Sequence, residues 1–567
     1  MSNFSQNAAA ASSAPSSVQG APSDGGYAKK VVKGSFWMVV TTVITRIGSF
    51  IAQIFLAMWL SKNDFGLCGV ALGLSGIASF LRDGGVRQIL LKHHDEHSVL
   101  LGPCFWMATA FNVTLALLLT AIAWPSAELY NEPRLAWMLV IIAWSIPLGT
   151  PGGILITKLL ADMRYRDNAQ IQTVSAATRY LSSVAFAFAG FGPFSFVLPN
   201  ILCALVENIM ALRYCSDRPW RSGPNAGIWL DLFNRSKWAL LAIIGIAGMN
   251  QGPSASIGLA APFEVVGIYT FTFLIVVQVA SLLSTNINQV LVPVFTRLAD
   301  EPDRKRAAVL RTLRQVSLVA TFVSLGLAAT YRPFEAAVWG QKWSATILPV
   351  QIMGASYAIN VLLCISLAVQ QARGQFRAWG IGLVLLAIGA MGSTYLGALY
   401  GRADLTQATV AAVISPAFVP YLTEQVAMSG IYVAVAAAAF TVTASFLHLV
   451  IALKPLGVGR REVVLNAVRV WSLGLVAGAL TVWFDHVIAP TARALGASLI
   501  AQARFSQIIT ELFLFGVSGV VFCFCYALLT RFFFAHALEE GLQMVPARYR
   551  SLASLLFGLR PATDSTK

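Results

Sequence analysis

The sequence predicts an all-α polytopic membrane protein with about 14 transmembrane helices, set out as two six-helix bundles with a central cleft and two C-terminal helices. Three observations lead there. Of 567 residues, 57% are hydrophobic and only 11% charged, with a mean hydropathy of +0.69, which excludes an ordinary soluble globule. Apolar runs of spanning length recur along almost the whole chain. Lys and Arg gather in every second turn between those runs.

Residues 1–30 are rich in Ala, Ser, Gly and Pro and are expected to form a disordered cytoplasmic tail. They lack the basic start and apolar run of a cleaved signal peptide, so the first span is expected to act as the insertion signal. Residues 31–215 read as the N-terminal six-helix lobe. Its spans are Gly34–Leu60, Phe65–Leu91, Val99–Trp124, Arg134–Leu159, Asn168–Gly190 and Pro193–Tyr214. A basic cytoplasmic linker, 216–236, carries Pro219, Gly223 and Pro224. The C-terminal six-helix lobe, 237–455, holds Trp238–Ala261, Val265–Leu298, Val309–Tyr331, Trp343–Gln371, Phe376–Tyr400 and Gly430–Lys454. Residues 401–429 fit poorly as a span and read as an extracytoplasmic insertion with a short helix. Two extra spans, Val463–Phe484 and Ile508–Phe534, lie within 456–535. In the tail, 536–567, Tyr549, Leu552, Leu555, Leu556 and Leu559 recur at helical spacing beside Arg548, Arg550 and Arg560. That pattern suits a cytoplasmic amphipathic helix on an anionic leaflet.

Charge placement orients the chain. Lys29, Lys30 and Lys33 precede the first span, and Lys158, Arg164 and Arg166 follow the fourth. Basic residues likewise follow the sixth, eighth, tenth and twelfth spans, whereas SKND at 61–64 and GFGP at 190–193 are poor in them. Both termini are therefore expected in the cytoplasm. The formal charge of +15 is explained by these loops, without nucleic acid as a partner. An internal echo supports two lobes: Trp37 and Gly66 are spaced as Trp238 and Gly267 are. The seven cysteines are scattered, mostly inside apolar runs, and show no metal-ligand spacing.

Polar residues on helical stripes mark the candidate site. Arg46 lies roughly 18 Å along the first span from Gly34, where an isolated charge costs about 2.5–3.5 kcal/mol on insertion scales. Thr42, Arg46, Ser49 and Gln53 share one stripe. So do Gln172, Ser175, Arg179 and Ser182 in the fifth span, and Gln278, Ser281, Thr285 and Asn288 in the eighth. In the second span Ser79, Asp83 and Arg87 share a face, with Arg82 beside them; the sixth holds Asn200 and Glu207. Snorkelling, ion pairing or interhelical hydrogen bonding accounts for any one stripe. Together they point to a cationic cavity in which Arg46 and Arg179 suit phosphate oxygens. Asp83 and Glu207 either neutralise the arginines or carry a coupling ion. KHHDEH at 92–97 has no second ligand cluster to support a metal. The P-loop, GxSxG and HExxH patterns are missing, as is an external loop rich in Arg and His, so no enzyme chemistry is encoded in a recognisable form.

The stretch LSKNDFGLCGVALGLSGIASFLRDGGVRQILLKHHDE at 60–96 resembles the second-helix signature of bacterial polysaccharide-transport (Wzx-type) flippases, a leucine-serine-proline-x-aspartate-phenylalanine-glycine run. IGLAAPFEVVGIYTF at 257–271, VLVPVFTRLADEPDR at 290–304 and WGQKWSATILPVQIM at 339–353 extend the resemblance. Lys62 departs from it, standing near the family's proline. The resemblance implies the multidrug/oligosaccharidyl-lipid/polysaccharide exporter fold, with a V-shaped cleft that alternates access. It implies an inner-membrane flippase that moves an undecaprenyl-diphosphate-linked oligosaccharide for exopolysaccharide or O-antigen synthesis. On that reading Arg46 and Arg179 hold the diphosphate, Arg82 and Arg87 guard the entrance, and Gln53, Gln278 and Asn288 line the sugar path. No cofactor is expected. A proton or sodium gradient is the candidate drive, and membrane lipids, a polysaccharide polymerase and a chain-length regulator are the candidate partners. A multidrug cation antiporter of the same fold and a membrane polysaccharide polymerase stay open as alternatives.

Overall fold

The computed structural model describes residues 24–82, 97–224, 226–298, 301–402, 425–499 and 503–544. Among these residues all regular structure is helical. In the first half run α1 (Asp24–Trp59), α2 (Lys62–Leu81), α3 (His97–Leu129), α4 (Arg134–Leu148), α5 (Thr150–Ala161), α6 (Tyr165–Phe188) and α7 (Leu198–Tyr214). Then come α8 (Ala226–Ala260), α9 (Phe263–Arg297), α10 (Pro302–Trp339), α11 (Ile347–Asn360), α12 (Leu363–Ala372), α13 (Phe376–Arg402) and α14 (Gln425–Leu453). The last two are α15 (Arg460–Leu499) and α16 (Ala503–Met544). Ten helical stretches are long and apolar enough to cross a membrane, or 11 with the bent pair α4–α5 counted as one.

Several boundaries differ from the sequence expectation. Helix α1 begins at Asp24, inside the stretch expected to be disordered, because a helix nucleated by an apolar span extends at little further cost. Helix α8 likewise starts at Ala226, inside the expected linker. The run Arg134–Leu159 is not one straight helix; it bends by 46° at Gly149. Pro147 and Pro151 remove backbone donors on either side of that bend. One side chain repairs it. The amide of Asn208, on α7, donates to Leu148 O at 2.7 Å and accepts from Gly152 N–H at 2.7 Å. The run Trp343–Gln371 is also interrupted, at Val361 and Leu362, without a proline or glycine to announce it. Residues 403–424 of the expected insertion and 545–567 of the tail lie outside the described residues.

The turn between α1 and α2 organises one end of the molecule. Ser61 and Asp64 form a capping box that starts α2: Ser61 Oγ accepts from Asp64 N–H at 3.1 Å, and Asp64 Oδ2 accepts from Ser61 N–H at 3.0 Å. From there α2 packs on α8 and α9. The contact is at backbone distance. A Cβ built on Gly66 would lie 1.8 Å from Phe263 O, and one on Gly267 would lie 1.8 Å from Lys62 O. The two glycines of the sequence echo thus oppose one another reciprocally, as small residues do where helices meet in lipid.

The turn between α10 and α11 covers the same end. Lys342 Nζ donates to the carbonyls of Ala57, Met58 and Leu60 at 3.0, 2.9 and 2.7 Å. The indole N–H of Trp343 donates to Ala57 O at 3.0 Å, and that of Trp339 to Ile54 O at 3.1 Å. The carbonyls of Ala57, Met58 and Leu60 are ones that a helix end leaves unpaired, and the ammonium also meets the negative end of the α1 dipole. Burial pulls the Lys342 pKa down, and the nearby Asp64 carboxylate opposes that. Glu335 Oε1 accepts from Trp343 N–H at 2.8 Å, and Phe65, Phe271 and Trp343 pack ring on ring around it.

Two outcomes follow from these contacts. Gly66→Ala is expected to cut the yield of folded full-length protein in size-exclusion profiles, while Gly153→Ala, with nothing within 4 Å of its added Cβ, leaves it unchanged. Asn208→Ala strands a carbonyl and an N–H at the α4–α5 bend and should destabilise the protein by about 1–3 kcal/mol in thermal unfolding.

Candidate functional site

Arg46 rides on α1, half-buried, while Ile44, Ile47, Ile51 and Phe55 form the exposed apolar side of that helix. Its Nη1 donates to Oε1 of Gln278, on α9, at 2.9 Å. Gln278 Nε2 in turn donates to Ser49 Oγ, back on α1, at 2.9 Å. One amide therefore bridges the two halves of the chain through two α1 side chains. Among the described residues no carboxylate pairs with Arg46, so the amide orients the guanidinium and leaves its charge uncompensated.

Arg179 sits on α6 and is itself exposed, on the side of the helix away from Val174, Leu181 and Phe188. Its Nη1 donates to Asn200 Oδ1, on α7, at 3.0 Å. Two turns further along α7, Glu207 Oε1 accepts from Ser175 Oγ, on α6, at 2.7 Å. Between these rungs Cys203 Sγ donates to Ser175 O at 3.4 Å. The fifth and sixth expected spans are thus joined by their polar stripes, and Glu207, 9% exposed, is held by a hydroxyl rather than by an arginine. Helix α6 also touches α1, where a Cβ on Gly48 would come within 3.1 Å of the Tyr180 ring.

The remaining candidates are spread more widely. Gln53, half-buried on α1, has a buried Oε1 with no partner among the described residues. Asn288, on α9, has a buried Oδ1 with none and faces a chamber inside the second half of the chain. Arg82 stands at the far end of α2, half-buried, roughly 10 Å further than Arg46 from the α1–α2 turn. Asp83, Arg87 and the KHHDEH stretch up to Glu96 lie outside the described residues. Arg46 and Gln278 are therefore brought into contact, Arg179 and Glu207 share one ladder, and Arg82 and Asn288 join neither. Asn208, Lys342, Tyr357, Asn360 and Ser445 escape the sequence reading. The cluster Pro147, Gly149, Pro151, Gly152 and Gly153 was the available signal for Asn208, and WGQKW at 339–343 the signal for Lys342.

Residues 55–348 match the protein family described as "Polysaccharide biosynthesis protein". Among curated proteins, the succinoglycan biosynthesis transport protein ExoT of Rhizobium meliloti is 23% identical over 328 residues, 56% of this chain and 64% of that protein. The lipopolysaccharide biosynthesis protein WzxC of Escherichia coli is 21% identical over 332 residues, 57% of this chain and 66% of that one. The chain thus spans just under two thirds of the length of these two relatives. The teichuronic acid biosynthesis protein TuaB of Bacillus subtilis is 21% identical over 413 residues, 68% of this chain and 80% of that protein. Among solved structures, the lipid II flippase MurJ in an inward closed conformation shares the fold with a TM-score of 0.59 at 10% identity, covering 88% of this chain and 98% of that one. An inward-facing multidrug resistance MATE transporter of the MOP superfamily gives 0.53 at 10% identity, covering 74% and 98%.

Proposed function

The chain belongs to the polysaccharide biosynthesis protein family, and from that premise we propose that it is a flippase, not an enzyme, for an undecaprenyl-diphosphate-linked oligosaccharide in the bacterial inner membrane. The observation that carries this reading is Arg46, held in the seam between the halves by a neutral amide. A diphosphate offers the same fork two anionic oxygens, and charge-assisted bidentate bonds outcompete a single bond to an amide. Arg179, bonded to Asn200 and beside the Cys203 thiol, offers a second fork in the first lobe. A cationic drug would be repelled by both arginines, which disfavours the antiporter alternative.

The architecture proposed is two six-helix lobes, 31–215 and 237–455, with two further spans and both termini in the cytoplasm. The end closed by Gly66, Gly267 and Lys342 is then the extracytoplasmic one. The passenger enters from the cytoplasmic side past Arg82 and Arg87. Phosphate oxygens displace Gln278 from Arg46, which removes a tie between α1 and α9. Opening also requires Lys342 to release three carbonyls, so binding drives the transition only by as much as the passenger prefers the open form. Glu207 and Asp83 are the carboxylates available to a proton or sodium gradient for the return step. A polysaccharide polymerase and a chain-length regulator would take over the product.

Arg46→Ala and Arg179→Ala are each expected to abolish polymer export at unchanged membrane levels of the protein, and Arg46→Lys to restore part of it, since Lys lacks the fork. Wild-type export from both alanine variants would end the proposal. Gln278→Glu should impair export more than Gln278→Ala, because the carboxylate neutralises Arg46 where alanine frees it. The reverse order, measured as surface polymer per unit of protein, would show that Gln278 does not stand in for an anion.

A further inference from the structure

A chamber of about 510 Å³ lies inside the second half of the chain, between α8, α9, α11, α12, α13 and α14. That volume falls within the ~300–1,000 Å³ range of small-ligand sites. None of its lining residues among those described is charged. Three amides, Asn250, Asn288 and Asn360, face it together with several Ser and Thr hydroxyls. Its aromatic wall is Tyr269, Phe273 and Tyr357, with ring centroids 6.0 Å apart for the first pair and 6.3 Å for the second.

Its polar groups are incompletely matched by the protein. Ser445 and Asn288 stand on the wall, where Ser445 Oγ and Asn288 Oδ1 are covered by protein and have no hydrogen-bond partner among the described residues. No hydrogen bond among the described residues uses the hydroxyl of Tyr269 or of Tyr357. Asn360, the last residue of α11, stands on the chamber wall just before the turn at Val361 and Leu362. An acyl or prenyl chain in this space would leave these groups unsatisfied. A pyranose ring answers them, because it presents hydroxyls at its rim and C–H faces to aromatic rings.

Position supports the same occupant. Ser281 lines the chamber, and its Oγ donates to the carbonyl of Gln278, whose side chain holds Arg46. The chamber's edge at Ser281 is therefore one turn along α9 from Gln278, the residue that holds the seam guanidinium. We propose that this chamber recognises the uncharged pyranose units next to the diphosphate, and that it discriminates against uronic acids, whose carboxylate would find no cation on its walls. This assignment rests on the lipid-linked oligosaccharide reading above.

The test is calorimetric titration of the full-length protein in micelles with three probes: the methyl diester of farnesyl diphosphate, its glucose diester and its glucuronic acid diester. All three present the same diphosphate charge. The glucose probe is expected to bind about tenfold tighter than the methyl probe, about 1.4 kcal/mol, and the glucuronic acid probe no tighter than the methyl probe. Asn360→Leu and Ser445→Ala should remove the glucose advantage and leave methyl-probe binding intact. Equal binding of the methyl and glucose probes by the wild-type protein would overturn the chamber assignment while the diphosphate reading stands, and needs no variant to fold. A glucuronic acid probe as tight as the glucose probe would overturn the discrimination. If none of the probes binds, the diphosphate reading fails, and the chamber assignment falls with it.

Discussion

The contact on which the structure depends is the reciprocal approach of α2 and α9, where Gly66 meets Phe263 O and Gly267 meets Lys62 O. Any side chain at either glycine would occupy the space of the opposing carbonyl. With both bare, the helices touch backbone to backbone, and the halves of the chain are drawn together at that end. The consequence appears further along the seam. Helices α1 and α9 come close enough there for an arginine on one to reach a glutamine on the other. Lys342 and the two tryptophans around it then cap α1 from the second half, so one closure serves both the backbone contact and the dangling carbonyls.

Behind that closure the two halves differ in chemistry. The first contributes guanidiniums and a buried carboxylate on α1, α6 and α7, each tied to a neutral group. The second encloses a chamber of amides, hydroxyls and rings without charge. Both contain an interrupted helix, at Gly149 and at Val361, the fourth spanning stretch of each half. In the first the freed backbone groups are sealed by Asn208. In the second the turn at Val361 and Leu362 keeps its backbone hydrogen bonds and borders the chamber through Asn360 and Leu363. A passenger with an anionic part and a neutral part would find a matching division here.

The helical class and most spans were legible because hydropathy acts residue by residue along the chain. The echo of Trp37 and Gly66 in Trp238 and Gly267 was legible too, since it is a spacing. Pairing across helices was only half legible: the stripes named Arg46 and Gln278 separately, and nothing in the sequence said that they touch. The break at Val361 was invisible, because YAINVLLCISL holds no helix breaker and the interruption is set by tertiary context. Asn208 was overlooked beside Glu207, since its role depends on a bend in a different helix.

The charges of the last two helices sharpen the case for Arg46 and Arg179. Arg332 pairs with Asp485 at 3.2 Å, and Arg493 with Glu511 at 2.6 Å, joining α10, α15 and α16. Asp485 and Glu511 are 3% and 1% exposed, so removing either arginine would strand a buried acid, a loss of about 3–5 kcal/mol. Pairs of this kind hold neighbouring helices in register and cancel each other's field at a distance. A cavity of about 450 Å³ beside Arg332 and Asp485 therefore lies next to a pair whose charges offset. The seam arginine lacks such an offset among the described residues, as does Arg179. Among the described residues, then, Arg46 and Arg179 are held by neutral amides, whereas Arg332 and Arg493 are held by buried acids.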